Sequence, residues 1–202
     1  MESGPHNLND LDYIQSPPLL DRIIAQTLVL GFDMASEPRT GALLRTLAAS
    51  KPSGRFLELG TGTGIATNWL LDGMDAHSTL TSVDVDARVQ EVARQFLGDD
   101  DRLTLVHEDG LQFLRHEKSD SYDFVFADAM PGKYDGLQEA LRVVRPGGFY
   151  VIDDMLPQKN WPDSHAPKIP TLIDKLASDK SLRIVPLTWA SGIVVAVKRG
   201  NS

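Results

Sequence analysis

The sequence contains no cysteine among its 202 residues. A disulfide framework, a thiolate metal site and a thiol nucleophile are therefore excluded. The absence fits a reducing compartment, and a cytoplasmic protein is expected. Basic residues are scarce too: 20 Lys and Arg stand against 28 Asp and Glu, a formal net charge of −8. No basic run is longer than Lys198-Arg199. Nucleic-acid affinity depends on clustered cations that neutralise phosphates, so no nucleic-acid partner is expected. No apolar stretch approaches the ~20 residues of a membrane-spanning helix. Met1-Glu2-Ser3-Gly4-Pro5 lacks the basic start and apolar run of a signal peptide. What is present is ordinary for a globular chain, 42% hydrophobic and 24% charged residues.

The residues through about Asn9 read as a loose polar arm. Leu19, Leu20, Ile23, Ile24, Thr27, Leu28 and Leu30 then recur at helical spacing, with Gly31 as a stop. Glu37 to Ala49 reads as a second helix with Ser36 as its cap and Pro38 in its first turn. From Arg55 the pattern changes to alternating short apolar strands and amphipathic helices. Strands are expected at 56–59, 80–85, 103–107, 122–127 and 149–152, with helices at 65–71, 87–97, 111–115 and 137–144 between them. This rhythm marks a parallel sheet with helices on both faces. After a helix at 169–177, the strands 182–187 and 193–197 are separated by only five residues, too few for a crossover, so they must be antiparallel neighbours. The expected fold is a doubly wound α/β domain at 51–202, preceded by an arm and helices at 1–50 that look like a lid or packing layer, all forming one structural unit.

Gly60-Thr61-Gly62-Thr63-Gly64 lies where the first strand hands over to a helix. Glycines there admit a ligand close to the backbone at the carboxyl edge of the sheet. A P-loop would need a Gly-Lys-Ser/Thr ending, which Gly64-Ile65-Ala66 lacks. The dinucleotide pattern G-x-G-x-x-G has Ile65 at its last position here. A tight turn without a ligand is the third reading. Asp84, at the end of the second strand, is placed to accept both hydroxyls of an adenosine ribose. Glu58, just before the glycines, suits a cationic ligand better than a pyrophosphate, which it would repel.

Glu58-Leu59-Gly60-Thr61-Gly62-Thr63-Gly64 followed by Ser82-Val83-Asp84 resembles the class I S-adenosylmethionine-dependent methyltransferases. Phe124-Val125-Phe126-Ala127-Asp128-Ala129 and Arg145-Pro146-Gly147-Gly148-Phe149-Tyr150-Val151-Ile152-Asp153-Asp154 narrow the resemblance to the catechol and caffeoyl-CoA O-methyltransferase branch. It covers roughly Met34 to Lys198. It implies a mostly parallel seven-stranded sheet with an antiparallel last strand, in agreement with the hairpin. It implies that Glu58, Gly60, Thr61, Gly62, Gly64, Asp84 and Asp128 hold S-adenosylmethionine, with Asp109 and Gly110 against the adenine and Met34 and Ala35 near the methionine end. It also implies a homodimer formed through N-terminal helices; the apolar face from Leu19 to Leu30 suits that, or packing over its own sheet.

Asp128 ends the fourth strand, and Asp153 and Asp154 end the fifth. Carboxyl ends of parallel strands share one edge, so these acids can converge. By site logic and by the resemblance, they are expected to hold Mg²⁺ or Mn²⁺, which would acidify a phenolic hydroxyl. The alternative is that Asp153 and Asp154 only cap the strand or the turn. Two departures from the family pattern bear on this site: Asp154 stands where Asn is usual, and Pro131 stands where the catalytic lysine is usual. Lys133 is two residues farther on, and a Pro131-Gly132 turn could re-aim it as the base; a solvated lysine is the competing reading. His165 and Asp128 are further candidates to handle the proton without a metal. The segment 156–170, with Trp161 and four prolines, is a candidate wall of an acceptor pocket, and so is Trp189. The expected activity is O-methylation of a small hydroxylated acceptor. A metal-independent methyltransferase and a non-catalytic adenosylmethionine-binding module are the alternatives.

Overall fold

A computed structural model describes residues 9–158 and 165–200. Seven strands form one sheet: β1 (Arg55–Leu59), β2 (Thr79–Asp84), β3 (Leu103–His107), β4 (Tyr122–Ala127), β5 (Val144–Ile152), β6 (Leu182–Leu187) and β7 (Ile193–Lys198). Their order is β3-β2-β1-β4-β5-β7-β6. The five strands from β3 to β5 are mutually parallel, and β7 runs antiparallel to both β5 and β6. The expected sheet and terminal hairpin are therefore present. The strand order reverses beside β1, where the chain turns first toward β2 and later toward β4. Ligands gather at such a switch point in open α/β sheets.

Helices cover both faces: α1 (Leu20–Leu30), α2 (Pro38–Ala49), α3 (Ile65–Gly73), α4 (Ala87–Leu97), α5 (Gly110–His116), α7 (Leu137–Val143) and α8 (Lys168–Ser178), with a kinked turn α6 (Met130–Lys133) after β4. Because side chains alternate along a strand, each buried strand feeds two cores. Phe56, Phe124, Phe126 and Val151 pack with Leu20, Ile23, Leu44 and Trp69 from α1, α2 and α3. Leu57, Leu59, Val125 and Tyr150 pack with Leu114, Leu141 and Leu172 from α5, α7 and α8. The inward stripe of α1 (Leu20, Ile23 and Thr27) is buried against its own domain, while Leu28 and Val29 face outward. Gly31 ends α1 in the left-handed conformation, as expected.

Two local expectations are corrected. Ser36 is not the cap of α2: Glu37 occupies that position, no side chain bonds the helix end, and the Ser36 hydroxyl instead reaches the carboxyl edge of β4. β5 begins at Val144 rather than Phe149, because a register irregularity between Tyr122 and Phe124 lets Val144 pair before the Pro146-Gly147-Gly148 bend. Trp161 and the N-terminal residues 1–8 lie outside the described residues. Among the described residues, no helix is long and apolar enough to cross a membrane.

Candidate functional site

A cavity of about 630 Å³ opens at the carboxyl edge of the sheet, over the switch point. Its floor is the turn from Gly60 to Thr63. Gly60 has φ +101°, and a Cβ there would stand 2.7 Å from the Asp128 carbonyl oxygen. Only glycine can hold this backbone against the end of β4, which explains the residue that opens the turn. The turn is also held from below. Asp84 accepts the Gly62 N–H at 2.7 Å and the Asp86 N–H at 2.9 Å. Each oxygen of a carboxylate keeps further acceptor capacity, so Asp84 can still receive hydroxyls on its cavity side. Thr63 receives a hydrogen bond from the Thr27 hydroxyl at 2.7 Å, tying α1 to the turn. The N-terminal helices thus form a packing layer that also braces the site.

Glu58 lies elsewhere. By strand alternation it shares the face of Phe56, beneath the turn, and it does not line the cavity. Its Oε2 accepts from the hydroxyls of Thr67 and Ser82, and Thr61, Ser82 and Gln90 extend the buried network. Burial pushes its carboxyl up to about 7, against the two hydroxyl donors. Direct contact with a ligand, the role expected from the sequence, does not match this placement; Glu58 ties β1, β2 and α3 together under the turn. Gly64 is likewise off the cavity, its φ of +91° allowing the start of α3 to pack against Ala93 of α4.

Around the rim, Met34, Thr61, Asp109, Gly110 and Asp128 all border the cavity, as do Ala35 and Ser36. Asp109 caps α5 through the Gln112 N–H at 2.9 Å. His165 also faces this space and bonds Tyr134 Oη at 2.9 Å. Burial lowers the His165 pKa, with the nearby Lys133 charge acting in the same direction. Trp189 is not a wall: its indole N–H donates to Asp10 at 2.8 Å.

The acidic edge contains a feature that the sequence only half announced. Asp128, Asp153 and Asp154 do converge on the cavity, and Lys133 converges with them. Its Nζ lies 3.5 Å from Asp128 Oδ1 and 3.9 Å from Asp154 Oδ2, and its side chain is only 3% exposed. The Met130-Pro131-Gly132-Lys133 segment explains how it gets there. Pro131 (φ −60°, ψ 136°) and Gly132 (φ 87°, ψ −25°) have the dihedrals of a type II turn. A Cβ on Gly132 would stand 2.5 Å from Leu59 Cδ1, and the Tyr150 hydroxyl donates to the Gly132 carbonyl. The turn is clamped between β1 and β5, and it swings Lys133 inward.

The carboxylates have separate partners as well. The Ser36 hydroxyl donates to Asp128 Oδ2 at 3.1 Å. Asp153 Oδ1 accepts from the Ser191 hydroxyl and from the Asp154 N–H. Burial drives the Asp128 pKa well above the usual carboxylate range, with Asp153 and Asp154 adding to the rise and Lys133 opposing it. Burial, then the Asp154 charge, pushes Asp153 to about 6. Asp154 has φ +60°, a left-handed backbone that Asn and Asp tolerate better than most residues. Neither Ser36 nor Ser191 was read from the sequence as a site residue. A lone serine carries no spacing signal, and only the fold brings these two to the acids.

The residue spacing and the geometry agree with comparisons to known proteins. A family model described as a methyltransferase domain matches residues 57–155. A Mycolicibacterium vanbaalenii protein named "Putative O-methyltransferase" is 34% identical over 140 residues, 65% of this chain and 62% of that protein. The match thus spans less than two thirds of that relative. In sequence, then, the chain is similar to a methyltransferase domain over residues 57–155 and to proteins named as O-methyltransferases over part of their length.

Solved structures share its fold. A crystal structure titled as a putative O-methyltransferase from Klebsiella pneumoniae has a TM-score of 0.78 at 26% identity, covering 94% of both chains. The Bacillus cereus O-methyltransferase in complex with S-adenosylhomocysteine has a TM-score of 0.79 at 21% identity, covering 92% of this chain and 93% of that one. A divalent cation, which the same branch implies, fits less well. Among the described residues, no group of three acidic or histidine side chains is arranged to hold a metal ion. The acids at this edge instead share their space with Lys133.

Proposed function

We propose that this protein is an S-adenosylmethionine-dependent O-methyltransferase acting on a small hydroxylated aromatic acceptor of the catechol or phenol type. The observation that carries the reading is one cavity bordered by the glycine turn, Asp84, Asp109 and the Asp128–Lys133 pair. The cofactor fits on this chain's own features: a turn whose first glycine admits no side chain, and a carboxylate at the end of β2 with acceptor capacity to spare. Gly60, Thr61 and Gly62 would hold its backbone-facing side, Asp84 the ribose, Asp109 and Gly110 the adenine, and Met34 the methionine end. S-adenosylmethionine, when bound, supplies an electrophilic methyl group on a sulfonium.

The protein's part is to hold the acceptor oxygen in position and to manage its proton. Positioning of this kind supplies a large share of the rate in transfer reactions. Asp128, whose burial strengthens it as a proton acceptor, takes the hydroxyl proton. The Lys133 ammonium donates to the oxygen as negative charge develops there. No step is routed through a divalent cation. Pairing of two chains through the outward face of α1, where Leu28 and Val29 are exposed, belongs to the same proposal, and sedimentation velocity reads it.

The test is transfer of label from methyl-tritiated S-adenosylmethionine to catechols, phenols and aliphatic alcohols. Labelled catechol or phenol ethers are expected, with a loss of at least ~100-fold in Lys133→Met, the range of one preorganised donor. Binding of S-adenosylhomocysteine without label in any acceptor would overturn the enzymatic reading and leave a cofactor-binding module.

A further inference from the structure

Two carboxylates that would hold a divalent ion in this fold already share a cation. Lys133 Nζ stands within 4 Å of both Asp128 Oδ1 and Asp154 Oδ2 and is shielded from solvent. We propose that the Lys133 ammonium takes the place of the divalent cation, so that the acidic edge of this methyltransferase is a built-in lysine site and not a metal centre. The inference rests on the methyltransferase reading of the cavity.

Three observations support it. First, the lysine is delivered by construction. The Pro131-Gly132 turn, locked by Leu59 and by Tyr150, puts the lysine at the end of the turn and sends its side chain back over β4. A surface lysine would need none of this. Second, a buried ammonium is stable only when paired, and the two acids that face it are the partners available to it among the described residues. A divalent ion on those oxygens would sit within a few ångströms of the ammonium and be repelled by it. Third, one oxygen of the remaining acid is committed elsewhere. Asp153 is 2% exposed, and its Oδ1 serves the Ser191 hydroxyl and the Asp154 N–H. Asp154 in place of Asn follows from the same arrangement: the additional negative charge balances an ammonium.

The experiment is calorimetric and paramagnetic titration of Mn²⁺ into the full chain, stripped with a chelator and saturated with S-adenosylhomocysteine. Wild type is expected to show no stoichiometric Mn²⁺ site. Lys133→Met, which removes the charge and keeps an unbranched side chain one atom shorter, is expected to gain one, at least ~100-fold tighter than any wild-type binding, because a unit charge ~4 Å from a divalent ion is strongly repelled even at an effective dielectric near 20. Adding Asp154→Ala to Lys133→Met should abolish the gained site. The proposal is overturned if wild type binds one Mn²⁺ that Asp154→Ala removes. It is equally overturned if Lys133→Met binds S-adenosylhomocysteine like wild type yet gains no Mn²⁺. If Lys133→Met does not fold, the wild-type titration with its Asp154→Ala control decides alone. Failure of wild type to bind S-adenosylhomocysteine would sink the methyltransferase reading and leave the Mn²⁺ comparison readable without it.

Discussion

The position of Lys133 depends on a turn that no residue but glycine can complete, and this can be measured against an internal control. Gly132 and Gly147 both have positive φ, +87° and +79°. An alanine at either position meets the backbone cost of a left-handed L-residue, about 1–2 kcal/mol. Their surroundings differ. A Cβ at Gly147 meets nothing within 4 Å, whereas at Gly132 it falls 2.5 Å from Leu59 Cδ1. Leu59 is 1% exposed on a central strand and has little room to withdraw. Overpacking of this kind adds about 1–3 kcal/mol. Gly132→Ala is therefore expected to destabilise by about 2–5 kcal/mol and Gly147→Ala by about 1–2 kcal/mol. At 2–4 °C per kcal/mol for a chain of this size, the Tm losses are roughly 10 °C and roughly 4 °C. Thermal denaturation followed by circular dichroism reads both. Methyl transfer at a temperature where both variants are folded should fall at least ~10-fold in Gly132→Ala, since a misplacement of ~1 Å can cost more than that. It should be unchanged in Gly147→Ala. Equal Tm values for the two variants, or full activity in Gly132→Ala, would refute the clamped-turn reasoning.

Other consequences concern the buried carboxyls. Glu58 is raised in the folded state to about 7 from an ordinary value near 4.5. A raised pKa means that its contribution is fully present below about 4.5 and is lost as pH climbs through about 7, a difference of roughly 3 kcal/mol. In urea titrations, Glu58→Gln should therefore gain on wild type between pH 5 and pH 8; a difference independent of pH would contradict the assignment. Ser191→Ala removes the hydroxyl donor from the buried Asp153 carboxylate, at a cost of about 1–3 kcal/mol. That donor favours the ionised form, so the cost should be larger at pH 8 than at pH 5, on either side of the Asp153 pKa of about 6. The same urea titrations read it, and a larger cost at pH 5 would count against it.

Much of the fold was legible because two periodicities dominate it. Strands such as Phe124-Val125-Phe126 feed both cores and read as continuous apolar runs, and α4 displays one apolar face from Val89 to Leu97. The five-residue link before β7 forced the antiparallel pair. The glycine turn was legible because its backbone geometry constrains residue type, and the end of β2 beside it put Asp84 at the same edge. Glu58 was misjudged for a reason of parity: residue 58 shares the face of Phe56, and strand alternation buries it under the turn. Ser36 looked like a helix cap because serine often is one, yet its hydroxyl meets Asp128 across 92 residues of sequence. Long-range pairs such as this, and Ser191 with Asp153, leave no local pattern. The destination of Lys133 was half legible: Pro-Gly announces a turn, and only the packing of Leu59 and Tyr150 decides which way it points.

The most direct measurement for the adenosyl-cofactor site is calorimetric titration of S-adenosylhomocysteine into wild type and Asp84→Ala. Wild type should bind one equivalent per chain. Asp84→Ala, which loses the acceptor for the Gly62 N–H and the carboxylate offered to the ribose, should bind at least ~10-fold more weakly, the loss of about one charge-assisted hydrogen bond. No saturable binding to folded wild type, or equal affinity in the two proteins, would contradict the assignment of this cavity.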